Sequence, residues 1–185
     1  AWAGSLNGDL GRYDVFPLLG LLAWGLMWSH YVTGSLRRYL GFDKEEPVLR
    51  AYFGVTGALV LGMIVLHPAL FYLGLFQDGF GLPPVSSFQV YGSLAARMAL
   101  LFGSLSLSVF LLFELGRWFR KRSWWRFAEY ASMAAMLFIA AHAMLLGGEL
   151  MSGWFQLMWF GFGAVLVLAF GYNNWYDKQH MQEEA

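Results

Sequence analysis

Five apolar stretches dominate the sequence and restrict the chain to one kind of fold. They lie at about residues 15–32, 51–76, 90–115, 125–147 and 153–172. At a rise of about 1.5 Å per residue, each stretch is long enough as a helix to cross a hydrocarbon layer of about 30 Å. In lipid these stretches must be helices, because a helix satisfies its backbone polar groups within one segment. The sequence therefore predicts an all-α integral membrane protein, a single-domain bundle of about five transmembrane helices with a polar tail at residues 177–185.

Composition narrows what such a bundle can bind. Twelve basic residues balance twelve acidic residues, so the chain lacks the excess positive charge that neutralises phosphates in nucleic-acid binding. It also has no cysteine, which excludes disulfides, iron–sulfur clusters and thiolate-ligated haem. Any metal or cofactor must be held by histidine, methionine, carboxylate or backbone groups.

Lysine and arginine divide sharply between the connections. The first connection holds Arg37, Arg38, Lys44 and Arg50, and the third holds five basic residues between positions 117 and 126. The second and fourth connections hold none. By the positive-inside rule, the first and third connections and the C-terminus face the cytoplasm, and the N-terminus lies outside. We expect a multi-pass protein of a bacterial inner membrane in this orientation.

Two histidines lie at similar depth in different predicted helices. His67 is about 16 residues from the inner end of the second span, and His142 is about 17 residues into the fourth. Ionisable groups inside a bilayer are costly and mark functional sites. Two imidazoles at one level on two helices can supply both axial ligands of a haem between them. The alternative is two separate core histidines, each hydrogen-bonded to a neighbouring helix.

Two further ionisable side chains within the predicted spans are candidate site residues. Arg97 is about 8 residues into the third span from the outside, where its guanidinium would suit a haem propionate. Snorkelling to the outer headgroups is the alternative for this residue. His30 lies near the inner end of the first span, where hydrogen bonding at the interface competes with contact to a quinone.

Four segments taken together resemble a known family of membrane modules. They are residues 33–41 (TGSLRRYLG), 66–73 (LHPALFYL), 104–108 (SLSLS) and 124–142, which runs from Trp124 to His142. In order and spacing they resemble the ferric-reductase-like transmembrane domain. This haem-binding module is shared by ferric reductases, NADPH oxidases and the haem subunit of the periplasmic methionine sulfoxide reductase system. The resemblance covers about the first 150 residues.

The resemblance implies a haem b held between two helices by paired histidines. The ligands of the outer haem correspond to His67 and His142. The inner ligands would fall near Phe53 and near Ala128 or Glu129, which are not ordinary haem ligands, so a single-haem variant is implied. Family members commonly have six helices. Because the chain begins without methionine, we expect that a signal sequence or a preceding helix has been removed.

These observations favour a membrane cytochrome b subunit that transfers electrons. No Gly-x-Gly-x-x-Gly fingerprint follows a predicted strand, and the tail is too short for a flavin or nicotinamide domain. A membrane quinol or a separate flavoprotein would then donate electrons to the haem, and an acceptor at the outer face would receive them. The aromatic fraction of 19% also suits a haem-free or pigment-binding accessory subunit of a larger complex. A transporter would need carboxylates or broken helices at the midplane, and only Pro68 points that way.

Overall fold

The computed structural model describes residues 13–42, 46–115, 125–147, 150 and 153–183. No strand occurs within these residues. The helices in this part of the chain are α1 (Val15–Leu40), α2 (Pro47–Gln77), α3 (Val85–Val90), α4 (Leu94–Leu115), α5 (Trp125–Leu146) and α6 (Gly153–Glu183). The prediction of an all-α membrane protein is confirmed.

Four of the helices are long and apolar enough to cross a membrane, namely α1, α2, α4 and α6. The apolar part of α5 is shorter and covers Tyr130–Leu146. The long helices leave most of their apolar surface exposed, as expected where the surroundings are lipid rather than water. The chain is therefore a multi-pass membrane protein.

Helix α1 continues well past the predicted end at residue 32. Nothing in residues 33–40 interrupts a helix, and the helix ends only at Gly41, which adopts a left-handed φ of 70°. The Gly41 N–H donates to the carbonyls of Arg37 and Arg38, a common way for glycine to close a helix. Two arginines in the last turn also interact favourably with the helix dipole. The basic residues at the start of the first connection thus belong to the end of α1.

Two other elements differ from the sequence prediction. Helix α6 continues to Glu183, so most of the polar tail is a helical extension of the last span. The outer connection between α2 and α4 contains the short helix α3. Helix α4 begins at Leu94 rather than at residue 90, because Gly92 and Ser93 separate it from α3.

Helix α1 lies at the centre of the packing. Helices α1 and α2 form one closely packed pair and α4 and α5 form another, while α1 also contacts α5 and α6. Trp24 on α1 is 2% exposed, and its ring centroid lies 4.1 Å from that of Trp159 on α6. The Trp24 indole also donates to the carbonyl of Met136 on α5 at 3.4 Å. A single buried side chain of α1 therefore joins both helix pairs.

Polar contacts join the inner half of α1 to the same neighbours. The hydroxyl of Tyr31 is hydrogen-bonded to that of Ser132 on α5 at 2.8 Å. The amide of Asn173 on α6 donates to the hydroxyl of Ser35 at 2.9 Å. Interhelical hydrogen bonds of this kind are one source of helix association in a bilayer. They fix the rotation of α1, and with it the carbonyl groups that α1 presents to α2.

Candidate functional site

The structure brings His67 of α2 and His142 of α5 together. Their ring centroids are 6.3 Å apart, and the two ring planes are nearly perpendicular at 83°. These two residues are 75 positions apart in the sequence, and they meet because each helix pair places one histidine toward the other pair. The depths deduced from the sequence thus correspond to a direct spatial pairing.

Each imidazole is tethered by its Nδ1 atom to a backbone carbonyl of the partner helix in its own pair. His67 Nδ1 lies 2.6 Å from the carbonyl oxygen of Phe16 on α1. His142 Nδ1 lies 2.7 Å from the carbonyl oxygen of Ala99 on α4. A carbonyl oxygen can only accept, so each Nδ1 carries the proton and donates. In the neutral imidazole this leaves the lone pair on Nε2.

This tautomer is the one that suits metal ligation through Nε2. Metal-ligating histidines almost always donate their other ring N–H to a carbonyl, carboxylate or water, which orients the ring and raises its basicity. Within the described residues, no hydrogen bond reaches Nε2 of His67 or His142. Two neutral imidazoles with this tautomer cannot bond to each other through Nε2, because both atoms are acceptors.

The separation of the rings matches a single metal ion placed between them. A metal–imidazole bond is about 2.0 Å long, and a five-membered ring with bonds of about 1.33 Å has about 1.1 Å from nitrogen to centroid. Two such arms in line span about 6.2 Å between centroids. The observed separation is 6.3 Å. The distance between the ring centroids therefore matches, in length, two imidazoles that ligate one metal ion between them.

An aromatic cavity lies on the outer side of His67. Its volume is about 230 Å³, and its walls include Phe16, Phe71 and Tyr91. The Phe16 ring also packs against the His67 ring, with centroids 5.5 Å apart. At the same cavity the hydroxyl of Tyr13 donates to the carboxylate of Asp78. The cavity thus combines flat apolar walls with a phenol–carboxylate pair, beside the residue that tethers His67.

Arg97 lies at the outer end of α4 and is exposed. Its guanidinium donates to the carbonyl of Tyr91 at 3.2 Å and to that of Phe88 at 3.5 Å, and it lies over the Phe88 ring at 5.8 Å. These contacts brace the turn between α3 and α4. Arg97 is two residues before Ala99, and side chains two residues apart on a helix face different sides, so the structure does not bring its guanidinium to the histidine pair. Burial raises the pKa of the Tyr91 hydroxyl in this outer connection.

His30 lies apart from the histidine pair, in the inner half of α1. Its Nε2 is hydrogen-bonded to the hydroxyl of Thr56 on α2. The edges of Tyr52 and Phe53 pack against its ring at centroid distances of 5.5 and 5.2 Å. Phe53 is where the family resemblance would place an inner ligand, and it packs here against His30. The other such position, Glu129, has a side chain outside the described residues.

The histidine pair is the arrangement best suited to hold a cofactor. No group of three or more histidine, aspartate and glutamate side chains comes together in the part of the chain that the structure describes. Sequence reasoning identified both histidines but not Phe16 or Ala99, because every residue has a backbone carbonyl and nothing in the residue type marks an acceptor. The fold and this site together define an all-α membrane protein with a tethered pair of histidines. Comparison of the chain with protein-family models, with curated proteins and with solved structures gives no significant match.

Proposed function

We propose that the protein is a membrane cytochrome b electron-transfer subunit. In this proposal, His67 and His142 are the axial ligands of one haem b near the outer face. Electrons pass from a quinol or a flavoprotein to an acceptor at the outer face. The observation that carries the proposal is the pairing of the two imidazoles at 6.3 Å, each tethered through Nδ1.

The residues present fit a haem in both donor type and electrostatics. The carbonyls of Phe16 and Ala99 hold each ring in the tautomer that ligates through Nε2, and they raise its basicity. When bound, haem iron supplies one-electron redox chemistry. His67 and His142 would together hold the iron, and ligation by two imidazoles would favour electron transfer over oxygen binding.

The position of the pair along the helices supports a site in the outer half of the membrane. His67 lies ten residues before the end of α2 at Gln77, and His142 lies four residues before the end of α5 at Leu146. The opposite ends of the bundle carry the basic residues of the first and third connections. With those connections in the cytoplasm, the N-terminus lies outside and the histidines face the outer leaflet.

Arg97 is the residue we assign to a haem propionate. It lies at the outer end of α4, two residues before Ala99, and its described hydrogen bonds use only part of its five N–H donors. A guanidinium pairs well with a carboxylate through two parallel bonds. Its positive charge would favour the reduced form of a nearby haem.

The two candidate electron donors, a quinol and a flavoprotein, would bind at opposite ends of the bundle. The aromatic cavity beside Phe16 offers flat walls and the Tyr13–Asp78 pair to a quinol or another planar redox compound. The basic residues of the first and third connections would suit an acidic flavoprotein as a separate redox partner at the inner face. A quinol in the cavity would deliver electrons close to the histidine pair, and a flavoprotein would deliver them at the inner face.

Absorption spectroscopy of ligand variants tests the proposal. The protein is expressed with adequate haem supply, purified in detergent, and measured as a reduced-minus-oxidised difference spectrum. His67→Ala and His142→Ala should each abolish the low-spin haem b spectrum, whereas the matched control His30→Ala should retain it. A low-spin spectrum retained in either ligand variant contradicts the assignment. Wild-type protein without any haem absorption favours the haem-free or pigment-binding accessory subunit instead.

A further inference from the structure

Two glycines lie directly against the paired histidines. A Cβ atom built on Gly20 of α1 would approach Cε1 of His67 to 2.9 Å and Nδ1 to 3.0 Å. A Cβ atom on Gly103 of α4 would approach both Cε1 and Nδ1 of His142 to 2.8 Å. Real Cβ atoms essentially never come within 3.0 Å of such atoms. In both cases the ring atoms that a Cβ atom would approach too closely lie on the edge that contains Nδ1, the atom that makes the tethering hydrogen bond.

The two contacts repeat one local arrangement. Gly20 is four residues after Phe16, and Gly103 is four residues after Ala99. In an α-helix the carbonyl of residue i points along the axis toward residue i+4. An imidazole from a neighbouring helix that reaches this carbonyl must therefore lie across residue i+4. Only glycine lets the ring come this close to the helix backbone.

Close contact with a neighbouring side chain is not a general property of the glycines in these helices. A Cβ atom on Gly25 of α1, or on Gly54 or Gly62 of α2, would meet nothing within 4 Å. A mid-helix glycine destabilises a helix by about 0.5–1 kcal/mol relative to alanine. Gly74 of α2 lies in the same way against the ring of Tyr13, whereas Gly20 and Gly103 are the glycines whose missing side chain is replaced by one of the paired histidines.

We propose that Gly20 and Gly103 are positioning residues that set the orientation of the two axial imidazoles. Together with the carbonyls of Phe16 and Ala99, each glycine forms a socket that holds the Nδ1–Cε1 edge of one ring against a helix. The sockets hold the ring planes nearly perpendicular, at 83°. This inference rests on the proposed function, since the rings serve as ligands only if haem is bound.

The orientation has consequences that can be measured. Ferric haems with perpendicular axial imidazoles give a strongly anisotropic low-spin EPR signal dominated by one low-field feature, whereas parallel imidazoles give a three-line rhombic signal. The Nδ1 hydrogen bond also makes each imidazole a stronger donor to iron, which favours the ferric state. Wild-type protein should therefore show the anisotropic signal, and loss of either tether should raise the midpoint potential.

The first experiment compares alanine at the sockets with alanine at an open position of the same helix. Gly20→Ala and Gly103→Ala should each shift the EPR signal and raise the midpoint potential. The control Gly25→Ala should leave both unchanged. Wild-type haem binding together with unchanged EPR signals and potentials in both socket variants overturns this inference while the proposed function stands. Absence of haem from the wild type overturns the proposed function.

The second experiment needs no haem and remains decisive if the socket variants accumulate poorly. Gly20→Ala is combined with His67→Ala, and folded yield and thermal stability are measured for the double variant and both single variants. Removing the imidazole ring removes the steric conflict with the new Cβ atom. Gly20→Ala should therefore lower folded yield and thermal stability in the wild-type background but not in the His67→Ala background. The same cycle applies to Gly103 and His142. An equal loss in both backgrounds shows that the glycine does not act through the ring, and it overturns the inference.

Discussion

Replacement of Trp24 tests whether α1 joins the two helix pairs that carry the histidines. Trp24 is 2% exposed, its ring packs at a tilt against Trp159 with centroids 4.1 Å apart, and its indole N–H donates to the carbonyl of Met136 at 3.4 Å. Truncation of a buried Trp to alanine costs about 3–5 kcal/mol in soluble cores. Lipid around the unfolded helices lowers the hydrophobic part of this cost, so we expect about 3 kcal/mol for Trp24→Ala.

Two further variants separate packing from hydrogen bonding. The bond to Met136 is long, so Trp24→Phe, which keeps an aromatic ring and removes the N–H, should cost only about 1 kcal/mol. The control Leu22→Ala lies on the same helix at a position that is 51% exposed, and should cost within about 0.5 kcal/mol.

The assay is unfolding in mixed micelles of increasing SDS content, followed by circular dichroism, with haem retention measured in parallel. Trp24→Ala should also release haem at lower SDS, because α1 carries the Phe16 carbonyl that tethers His67. Equal destabilisation by Trp24→Ala and Leu22→Ala would refute the central role of α1.

Three other substitutions have defined expectations. Arg97→Ala should lower the haem midpoint potential, because a positive charge near the haem favours its reduced form. The control Arg37→Ala, at the inner end of α1, should leave the potential unchanged. If a redox titration gives Arg97→Ala the same potential as the wild type, Arg97 does not belong to the site. Arg38→Gln should cost under about 1 kcal/mol, since its pairing with Asp177 at 2.9 Å is partly exposed, and a larger loss in SDS unfolding would contradict this. Tyr31→Phe removes the hydroxyl that bonds to α5 at 2.8 Å and should cost about 0.5–1.5 kcal/mol in the same assay, with no change in potential.

The positions of the helices follow from the sequence because lipid imposes a minimum apolar length on each span. The ends of the helices follow less well. Hydrophobicity falls near residue 32, but α1 continues to Leu40, since polarity alone does not end a helix that has left the hydrocarbon layer. Helix α6 shows the same behaviour in the polar tail.

The outer end of α4 shows how an error in a helix boundary moves a site residue. A span starting at residue 90 would place Arg97 about two turns deep, at the level of the histidines. The helix begins at Leu94, which leaves Arg97 on the first turn, exposed and bonded to the outer connection. The glycine and serine before Leu94 are the signal that could have indicated this.

The candidate site divides into a predictable part and an unpredictable part. His67 and His142 stand out because imidazoles inside an apolar span are rare, and residue counts from the span ends give their depth. Phe16 and Ala99 act through backbone carbonyls, which no side chain marks. Gly20 and Gly103 are two of 22 glycines in the chain, and only the distances in the folded structure distinguish them from the glycines that face open space.

The haem content of the purified wild-type protein decides whether His67 and His142 hold a haem. A pyridine haemochrome assay, combined with a protein determination by amino-acid analysis, gives the haem type and the number of haems per chain. We expect haem b at one equivalent per chain, with a low-spin spectrum in both oxidation states. A haem-free protein, or one with two equivalents, would contradict ligation by the single pair His67 and His142.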